Sequence, residues 1–310
     1  MRAVVVRRFG GPEVLEVIDA PVPEPRAGEV RVKVEGAGVN IADVIVRTGM
    51  NVQYGATSER EQYGLGSEFA GTVDALGAGV TGVSVGDAVI GTQERLDTAL
   101  GSQAELVVVD SWALAPAPVG TTSIEAAGLP LPGITALQAL DTLALEPGQT
   151  LLVTGAAGGV GGYAVELGVL RGLRVIAHAA AAEEDRLRSM GAELFVPRDV
   201  HLADTVRDLV PGGADGALDA ANLVTAADDA VRHGGSYANL LNAAPQSRRQ
   251  IRPYNIAWHS DPGRLSALSA FASAGRLTVR VAATFSFDDV AKAHELVVSG
   301  GLAGRVVLVP

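Results

Sequence analysis

Residues 151–161 read LLVTGAAGGVG, and this stretch decides the fold. The apolar run before the glycines predicts a strand at 150–154, and the spacing of later apolar residues predicts a helix over 160–170. A second strand is predicted at 174–178. A strand, a glycine turn, a helix and a second strand inside about 30 residues form a βαβ unit typical of dinucleotide-binding proteins.

The glycine turn itself is the first candidate site. Glycines allow a tight turn and a close approach of the backbone to a diphosphate, while the unpaired amides and the helix dipole receive its charge. The alternative is that the glycines serve only close packing of the helix on the strand. The candidate cofactor-binding residues are Gly155, Ala156, Ala157, Gly158, Gly159, Val160 and Gly161.

The end of the second predicted strand bears on the choice between NAD and NADP. A carboxylate there would hold the ribose hydroxyls of NAD, but the sequence at 178–182 is HAAAA. We therefore predict NADP, with NAD as the alternative, and expect positive charge near its 2′-phosphate from His178, Arg198 or Arg186. Each of these side chains is alternatively an ordinary solvated residue.

The regions on either side of the turn differ in pattern. Short alternating segments such as VRVKV at 30–34 fill the first third of the chain and predict small strands. From the PLPG at 130–133 onward, apolar strands alternate with helices, and the final strand is predicted at 305–309. We predict a β-rich domain of residues 1–122 and 261–310 and a cofactor domain of residues 123–260. Further predicted elements are strands at 194–196, 216–219, 237–241, 251–258 and 278–281 and helices at 265–274 and 288–299.

Composition narrows the class of partner. The chain has 310 residues, no cysteine and a formal net charge of −11, so thiolate metal sites and disulfides are absent. No basic run exceeds the pair Arg248-Arg249, which argues against a nucleic-acid partner. Neither a signal peptide nor an apolar run long enough for a membrane span is visible, so we expect a soluble, cytoplasmic protein with a small uncharged substrate.

Four further motifs accompany the glycine turn. They are AGVN at 37–40, GSEFAG at 66–71, VGD at 85–87 and LPLPGITA at 129–136. Together they resemble the zinc-independent quinone oxidoreductases of the medium-chain dehydrogenase/reductase superfamily, and the likeness runs from Val14 to the closing GRVVL at 304–308. The resemblance implies an α/β protein in which a GroES-like β-rich substrate domain is interrupted by a Rossmann domain with a doubly wound parallel sheet.

The resemblance also bears on metal. Zinc-using relatives hold a catalytic ion on a Cys near the Asn40 position, on a His at the Ser67 position and on a further Cys or Asp. Here Glu68 is retained, but asparagine and serine replace the stronger ligands and the chain has no cysteine. We predict no metal site.

Several site residues follow from the resemblance. It implies that Asn40 and Asp43 face the nicotinamide, that Thr135 lies near its amide, and that Leu241 and Asn242 lie in a loop over the ring. Asn40 is alternatively a turn residue, and Asp43 is alternatively a helix-start carboxylate favoured by the dipole.

The predicted activity is NADPH-dependent, zinc-free hydride transfer to a quinone or an α,β-unsaturated carbonyl, with the final proton from solvent, Tyr54 or Tyr63. The alternatives are an enoyl reductase of a polyketide-type biosynthetic pathway and a non-catalytic NADP(H)-binding protein. The resemblance further implies a homodimer that pairs through the last Rossmann strand, near 254–258; Ile256 and Trp258 are alternatively monomer core.

Overall fold

The structure is a computed structural model that describes residues 1–95 and 98–310. Its strands are β1 Arg2–Val6, β2 Leu15–Asp19, β3 Glu29–Val39, β4 Tyr63–Gly64, β5 Glu68–Leu76, β6 Ala88–Thr92, β7 Leu106–Asp110, β8 Leu114–Pro116, β9 Thr150–Thr154, β10 Arg174–Ala179, β11 Leu194–Pro197, β12 Ala214–Asp219, β13 Val231–Asn239, β14 Arg252–Asn255, β15 Val281–Ser286 and β16 Arg305–Val309. Its α-helices are α1 Ile41–Thr48, α2 Met50–Gln53, α3 Ser123–Ala126, α4 Pro130–Leu143, α5 Gly159–Leu170, α6 Glu184–Ser189, α7 Leu202–Leu209, α8 Thr225–Asp229, α9 Pro262–Ser273 and α10 Val290–Ser299.

Two compact units make up the described chain, residues 1–131 with 260–310 and residues 132–259. The first boundary lies beyond the 122/123 division expected from the sequence, because α3 packs against β3 and β5 and so belongs to the first unit. The second boundary lies at 259/260, next to the expected 260/261.

The second unit contains a six-stranded sheet in the order β11-β10-β9-β12-β13-β14, and all its pairings are parallel. β9 is buried along its whole length, as expected of a parallel strand that is covered on both faces. The strand order reverses beside β9, which places the carboxyl ends of β9 and β12 at the switch point where open α/β sheets bind ligands.

The first unit contains a seven-stranded sheet in the order β15-β16-β3-β5-β6-β8, with β7 paired to β3, and a small sheet in the order β2-β1-β4. β3 is long because it pairs with β5 on one side and with β7 and β16 on the other. Its core contains Val30, Val32 and Phe69. The predicted combination of a β-rich domain and a doubly wound parallel-sheet domain is confirmed.

Three predicted strands differ from the structure. The predicted strand 278–281 is wrong in its bounds, since β15 begins at Val281 and runs to Ser286 in register with β16. β13 occupies 231–239 rather than 237–241. β14 ends at Asn255, so the predicted strand 251–258 is too long and Trp258 lies beyond it. β14 is the edge strand of its sheet, and pairing of two chains through this edge stays a prediction.

Candidate active site

The glycine turn joins β9 to α5 in the second unit. Gly155 has φ +59°, a left-handed conformation that favours glycine. The amide of Ala156 donates to the carbonyl of His178 at 3.2 Å, and the amide of Gly158 donates to the carbonyl of Gly155 at 2.9 Å. Gly158 is the N-cap of α5 and supplies no side chain to cap the helix. The first amides of α5 therefore lack a side-chain acceptor, as a diphosphate site requires.

A buried carboxylate braces the loop beside this turn. Asp219, at the end of β12, is 1% exposed. It accepts hydrogen bonds from the hydroxyls of Thr154 (2.5 Å) and Tyr237 (2.6 Å) and from the amides of Leu223 (3.1 Å) and Val224 (2.8 Å). Burial, reinforced by Asp219, raises the pKa of the Tyr237 phenol, which stays a donor at neutral pH. Asp219 thus ties the carboxyl ends of β9, β12 and β13 together.

Sequence reasoning missed Asp219. The sequence does contain a signal, since Asp219 is a carboxylate at the end of an otherwise apolar strand. A buried carboxylate of this kind requires several hydrogen-bond partners. The partners come from residues as far away as Thr154 and Tyr237, which no local pattern links to it.

The loops at this sheet edge hold unusual backbone conformations. Asn222, Val224 and Asn242 have φ values of +55°, +49° and +57°. A left-handed conformation is tolerated by asparagine but costs a β-branched residue on the order of 1–3 kcal/mol. The amides of Leu241 and Ala243 donate to the Asn239 side chain at 2.8 and 2.9 Å, which pins the loop that carries both Leu241 and Asn242. Such strain is concentrated at functional sites.

The charges near the end of β10 differ from the expectation. His178 is only 6% exposed, and burial lowers its pKa, so it is neutral at pH 7 and does not supply the predicted positive charge. Arg198 is exposed just beyond β11, and its amide donates to the carbonyl of Ala179 at 2.8 Å. Arg186 reaches the carbonyl of Ala157 at 3.2 Å and pairs with Glu183 at 2.7 Å, a carboxylate that sequence reasoning overlooked. The arginines are therefore the available cations.

The first unit contains a buried charge cluster around Glu68, which is 0% exposed. Its carboxylate accepts from the Asn40 side-chain amide at 3.0 Å and from the Leu131 amide at 2.9 Å, and it forms an ion pair with Arg305. Arg305 also donates to the Asn40 side-chain oxygen at 2.6 Å. Both polar atoms of the Asn40 side chain are thus engaged, and its orientation is fixed by the ion pair.

Asp43 occupies the third position of α1 and closes a capping box with Asn40. Its two carboxylate oxygens accept from the backbone amides of Asn40 (2.7 Å) and Gly66 (2.8 Å). Burial raises its pKa to about 6, and the two amide hydrogen bonds oppose the rise. Asp43 therefore joins the start of α1 to the loop before β5, in addition to facing the pocket described below.

The titration of Asp43 makes a testable difference to stability. Since its folded pKa lies above its ordinary value of 3.8, its protonation stabilises the fold at acid pH, and this contribution is lost as pH rises through about 6. Asp43→Asn cannot titrate, so we expect it to be more destabilising at pH 5 than at pH 8, by about 1–2 kcal/mol. Urea unfolding of both proteins at the two pH values measures this, and an equal difference at both would contradict it.

A small pocket, open to solvent at its mouth, lies next to Asp43 in the first unit. Its polar lining includes Asn51, Ser67, Gln93, Arg95 and Thr98, with Val46 and Tyr63 as its larger apolar groups. The Tyr63 hydroxyl accepts from the Arg60 amide at 2.8 Å. Tyr54, the other candidate proton donor, is 74% exposed and is not part of the lining.

The remaining candidates belong to different units. Thr135 lies on α4 in the second unit, 8% exposed, whereas Asn40 and Asp43 lie in the first unit. Within residues 1–95 and 98–310, no cluster of three or more His, Cys, Asp or Glu side chains is arranged to hold a metal ion. In the same part of the chain, no helix has the length and hydropathy of a membrane span.

Comparison with known proteins agrees with this architecture. The family model of the alcohol dehydrogenase GroES-like domain matches residues 26–119, and that of the zinc-binding dehydrogenases matches residues 190–308. A solved structure of an NAD-dependent alcohol dehydrogenase is similar with a TM-score of 0.90 and 31% identity, and both chains are covered in full. Human quinone oxidoreductase is 28% identical over 99% of this chain and 97% of its own length.

Fold and glycine turn together define an oxidoreductase of the NAD(P)-binding class. The chain belongs to the medium-chain dehydrogenase/reductase superfamily, in its quinone oxidoreductase-like branch. It is also similar to the phenolphthiocerol synthesis polyketide synthase type I Pks15/1 of Mycobacterium marinum, with 35% identity over 63% of this chain. The chain spans a tenth or less of the length of the polyketide synthases that it matches.

Proposed function

We propose that this protein is an NADPH-dependent reductase that transfers hydride to a quinone or an α,β-unsaturated carbonyl without a metal ion. The observation that carries the proposal is the uncapped N-terminus of α5, which follows a left-handed glycine at the switch point of the parallel sheet. This arrangement supplies backbone donors and a helix dipole to a diphosphate. The reduced nicotinamide, when bound, supplies the hydride.

The residues of the turn fit a dinucleotide. A Cβ atom at Gly158 would meet only the Gly155 carbonyl oxygen, at 3.3 Å, so the space beside it is open to a ligand. In our proposal the amides of residues 159–161, the first of α5, hold the diphosphate, Arg198 and Arg186 attract the 2′-phosphate of NADP, and the loop of Leu241 and Asn242 orients the nicotinamide. The guanidinium group of arginine suits phosphate because it can donate two hydrogen bonds to it at once.

The residues at the zinc positions of related enzymes do not fit the metal. Both polar atoms of the Asn40 side chain are hydrogen-bonded to Glu68 and Arg305. Ser67 offers a neutral hydroxyl, and Glu68 is already paired with Arg305. A tetrahedral zinc site requires Cys, His or carboxylate ligands, so no step of the proposed reaction uses zinc.

The proposed chemistry requires a donor for the oxygen on which negative charge develops. Ser67 lines the pocket, and its hydroxyl has no hydrogen-bond partner in the described chain. We assign this hydroxyl to the carbonyl oxygen of the acceptor and retain Thr135 as the residue that orients the nicotinamide amide. Asn40 and Asp43 act as positioning residues, because their polar atoms are engaged by neighbouring protein groups. The proton comes from solvent or from Tyr63.

Steady-state oxidation of NADPH and NADH by a panel of quinones and enones, after dialysis against a chelator, tests the proposal. We expect turnover without added metal, and we expect Arg198→Ala to raise the KM for NADPH about tenfold while the KM for NADH is unchanged. The control is Arg232→Ala, because Arg232 is a half-exposed arginine at the start of β13 that pairs with Asp215. Absence of turnover with every acceptor, or a requirement for zinc, would overturn the proposal.

The similarity to polyketide synthases favours a second candidate, an enoyl reductase of a biosynthetic pathway. The chemistry is the same and the acceptor is an α,β-unsaturated thioester. A kcat/KM for such a thioester well above that for quinones and simple enones would favour this alternative. A protein that binds NADPH but fails to oxidise it in a single turnover with any acceptor would instead be a non-catalytic binder.

A further inference from the structure

One residue of the pocket carries a buried polar atom that has no hydrogen-bond partner within residues 1–95 and 98–310. Asn51, in α2, lines the pocket and is 5% exposed. Its side-chain Nδ2 donates to the hydroxyl of Thr57 at 2.9 Å. Its Oδ1 is buried and has no hydrogen-bond partner among the described residues. A buried polar group in this condition costs about 1–3 kcal/mol.

The turn that follows α2 does not require an asparagine side chain at position 51. The turn that follows α2 is held by the main-chain carbonyl of Asn51, which accepts from the amides of Ala56 (2.8 Å) and Thr57 (3.2 Å). Thr57 is only half-buried, so its hydroxyl can pair with water if the Asn51 side chain is replaced. An apolar side chain of the same size would therefore keep the turn and remove the unpaired atom.

The pocket supplies the second observation. Most of its side chains are polar, among them Ser67, Gln93 and Thr98, and two are charged, Asp43 and Arg95. A hydrocarbon acceptor would leave these groups, and the Asn51 amide, without the hydrogen bonds that water or a polar ligand gives them. A hydroxyl group both donates and accepts, so it satisfies the Asn51 side chain in either orientation of the amide.

We propose that Asn51 determines acceptor specificity, and that the acceptor is a quinone or enone with a hydroxyl group on the part remote from its reacting carbon. The inference rests on the proposed function, since it names the acceptor of that reaction. Ser67 receives the carbonyl oxygen and Asn51 the hydroxyl, and both residues line the pocket. Asn51 is a specificity residue and does not touch the reacting atoms.

The test compares oct-1-en-3-one with its 6-, 7- and 8-hydroxy derivatives, in which the hydroxyl is insulated from the enone. The chain has no cysteine, so thiol alkylation by these acceptors does not interfere. We expect at least one hydroxylated acceptor to have a KM about 10- to 100-fold below that of the parent, with similar kcat. Asn51→Leu removes this difference, while the melting temperature is not lowered.

Gln53→Leu, an exposed position in the same helix, is the control and keeps the preference. No preference for any hydroxylated acceptor in the wild type, or an unchanged preference in Asn51→Leu, would overturn the inference. If no acceptor is reduced, the proposed function fails, and saturation-transfer NMR with octan-3-one and its hydroxy derivatives then decides this inference separately. Binding of a hydroxylated ketone that is lost in Asn51→Leu supports it, and equal binding of both ketones by the wild type contradicts it.

Discussion

Gly161→Ala is expected to lower the affinity for NADPH by at least about 100-fold, because the new methyl group displaces the turn that receives the diphosphate. A Cβ at this position would lie 2.1 Å from the carbonyl oxygen of Gly155 and 2.9 Å from the Cα of Ala156. Both are backbone atoms, and Gly155 is held at φ +59°. The turn must therefore move away from the helix, which misaligns the amides. Isothermal titration with NADPH measures the loss.

Gly168, in the same helix, provides the matched control, and Gly158 provides a second test of the site. In Gly168→Ala the new methyl group meets only side-chain atoms, the nearest being those of Val175 and Leu151 at 3.1 and 3.2 Å, so we expect binding close to the wild type. Gly158→Ala has space within the protein but fills the place assigned to the diphosphate, so we expect weaker binding with an unchanged melting temperature. If Gly161→Ala bound NADPH as the wild type does, the turn would not be the cofactor site.

Glu68→Ala is expected to destabilise the protein by about 3–5 kcal/mol, because it leaves the largely buried side chain of Arg305 without its counter-ion. Glu68 is fully buried, and the Arg305 side chain is 12% exposed. The substitution also removes acceptors from Asn40 and from the Leu131 amide. Urea unfolding, with the midpoint and slope compared with the wild type, measures the effect.

The control is Glu24→Ala, because the Glu24 side chain is 79% exposed and pairs with Arg31 at the surface. Its loss of stability is expected to be below about 1 kcal/mol. The double variant Glu68→Gln with Arg305→Met removes both charges, so its loss should be smaller than the sum of the two single losses. A loss below about 1 kcal/mol for Glu68→Ala would show that the pair is not a buried charge cluster of the kind described.

The glycine turn and its flanking strand and helix were predictable because their signals are local. β9 has the predicted bounds 150–154, and α5 begins one residue before the predicted helix. Edge elements were predicted less well. β15 alternates between half-buried and exposed residues, so its sequence has no apolar run, and its position is set by pairing with β16 at the end of the chain.

The site was predictable only in part, because the partners of its polar side chains are also non-local. Asn40 and Asp43 were singled out, but their hydrogen bonds to Glu68 and Gly66 show that both side chains are engaged in the fold. Asp219 and Arg305 were not singled out, since the partners of a buried polar group come from distant parts of the chain. His178 was expected to carry charge, and only its burial in the folded sheet shows that it is neutral.

The sequence by itself determined the class of fold and the place of the cofactor turn, because hydrophobic periodicity and glycine position act over a few neighbouring residues. Tertiary structure decided which polar side chains are available to a ligand. Asn40 is engaged by Glu68 and Arg305, whereas Asn51 lines the pocket and has a side-chain oxygen without a partner in the part of the chain that the structure describes. The physical reason is that the hydrogen bonding of a side chain depends on burial and on non-local neighbours, which exist only once the chain has folded.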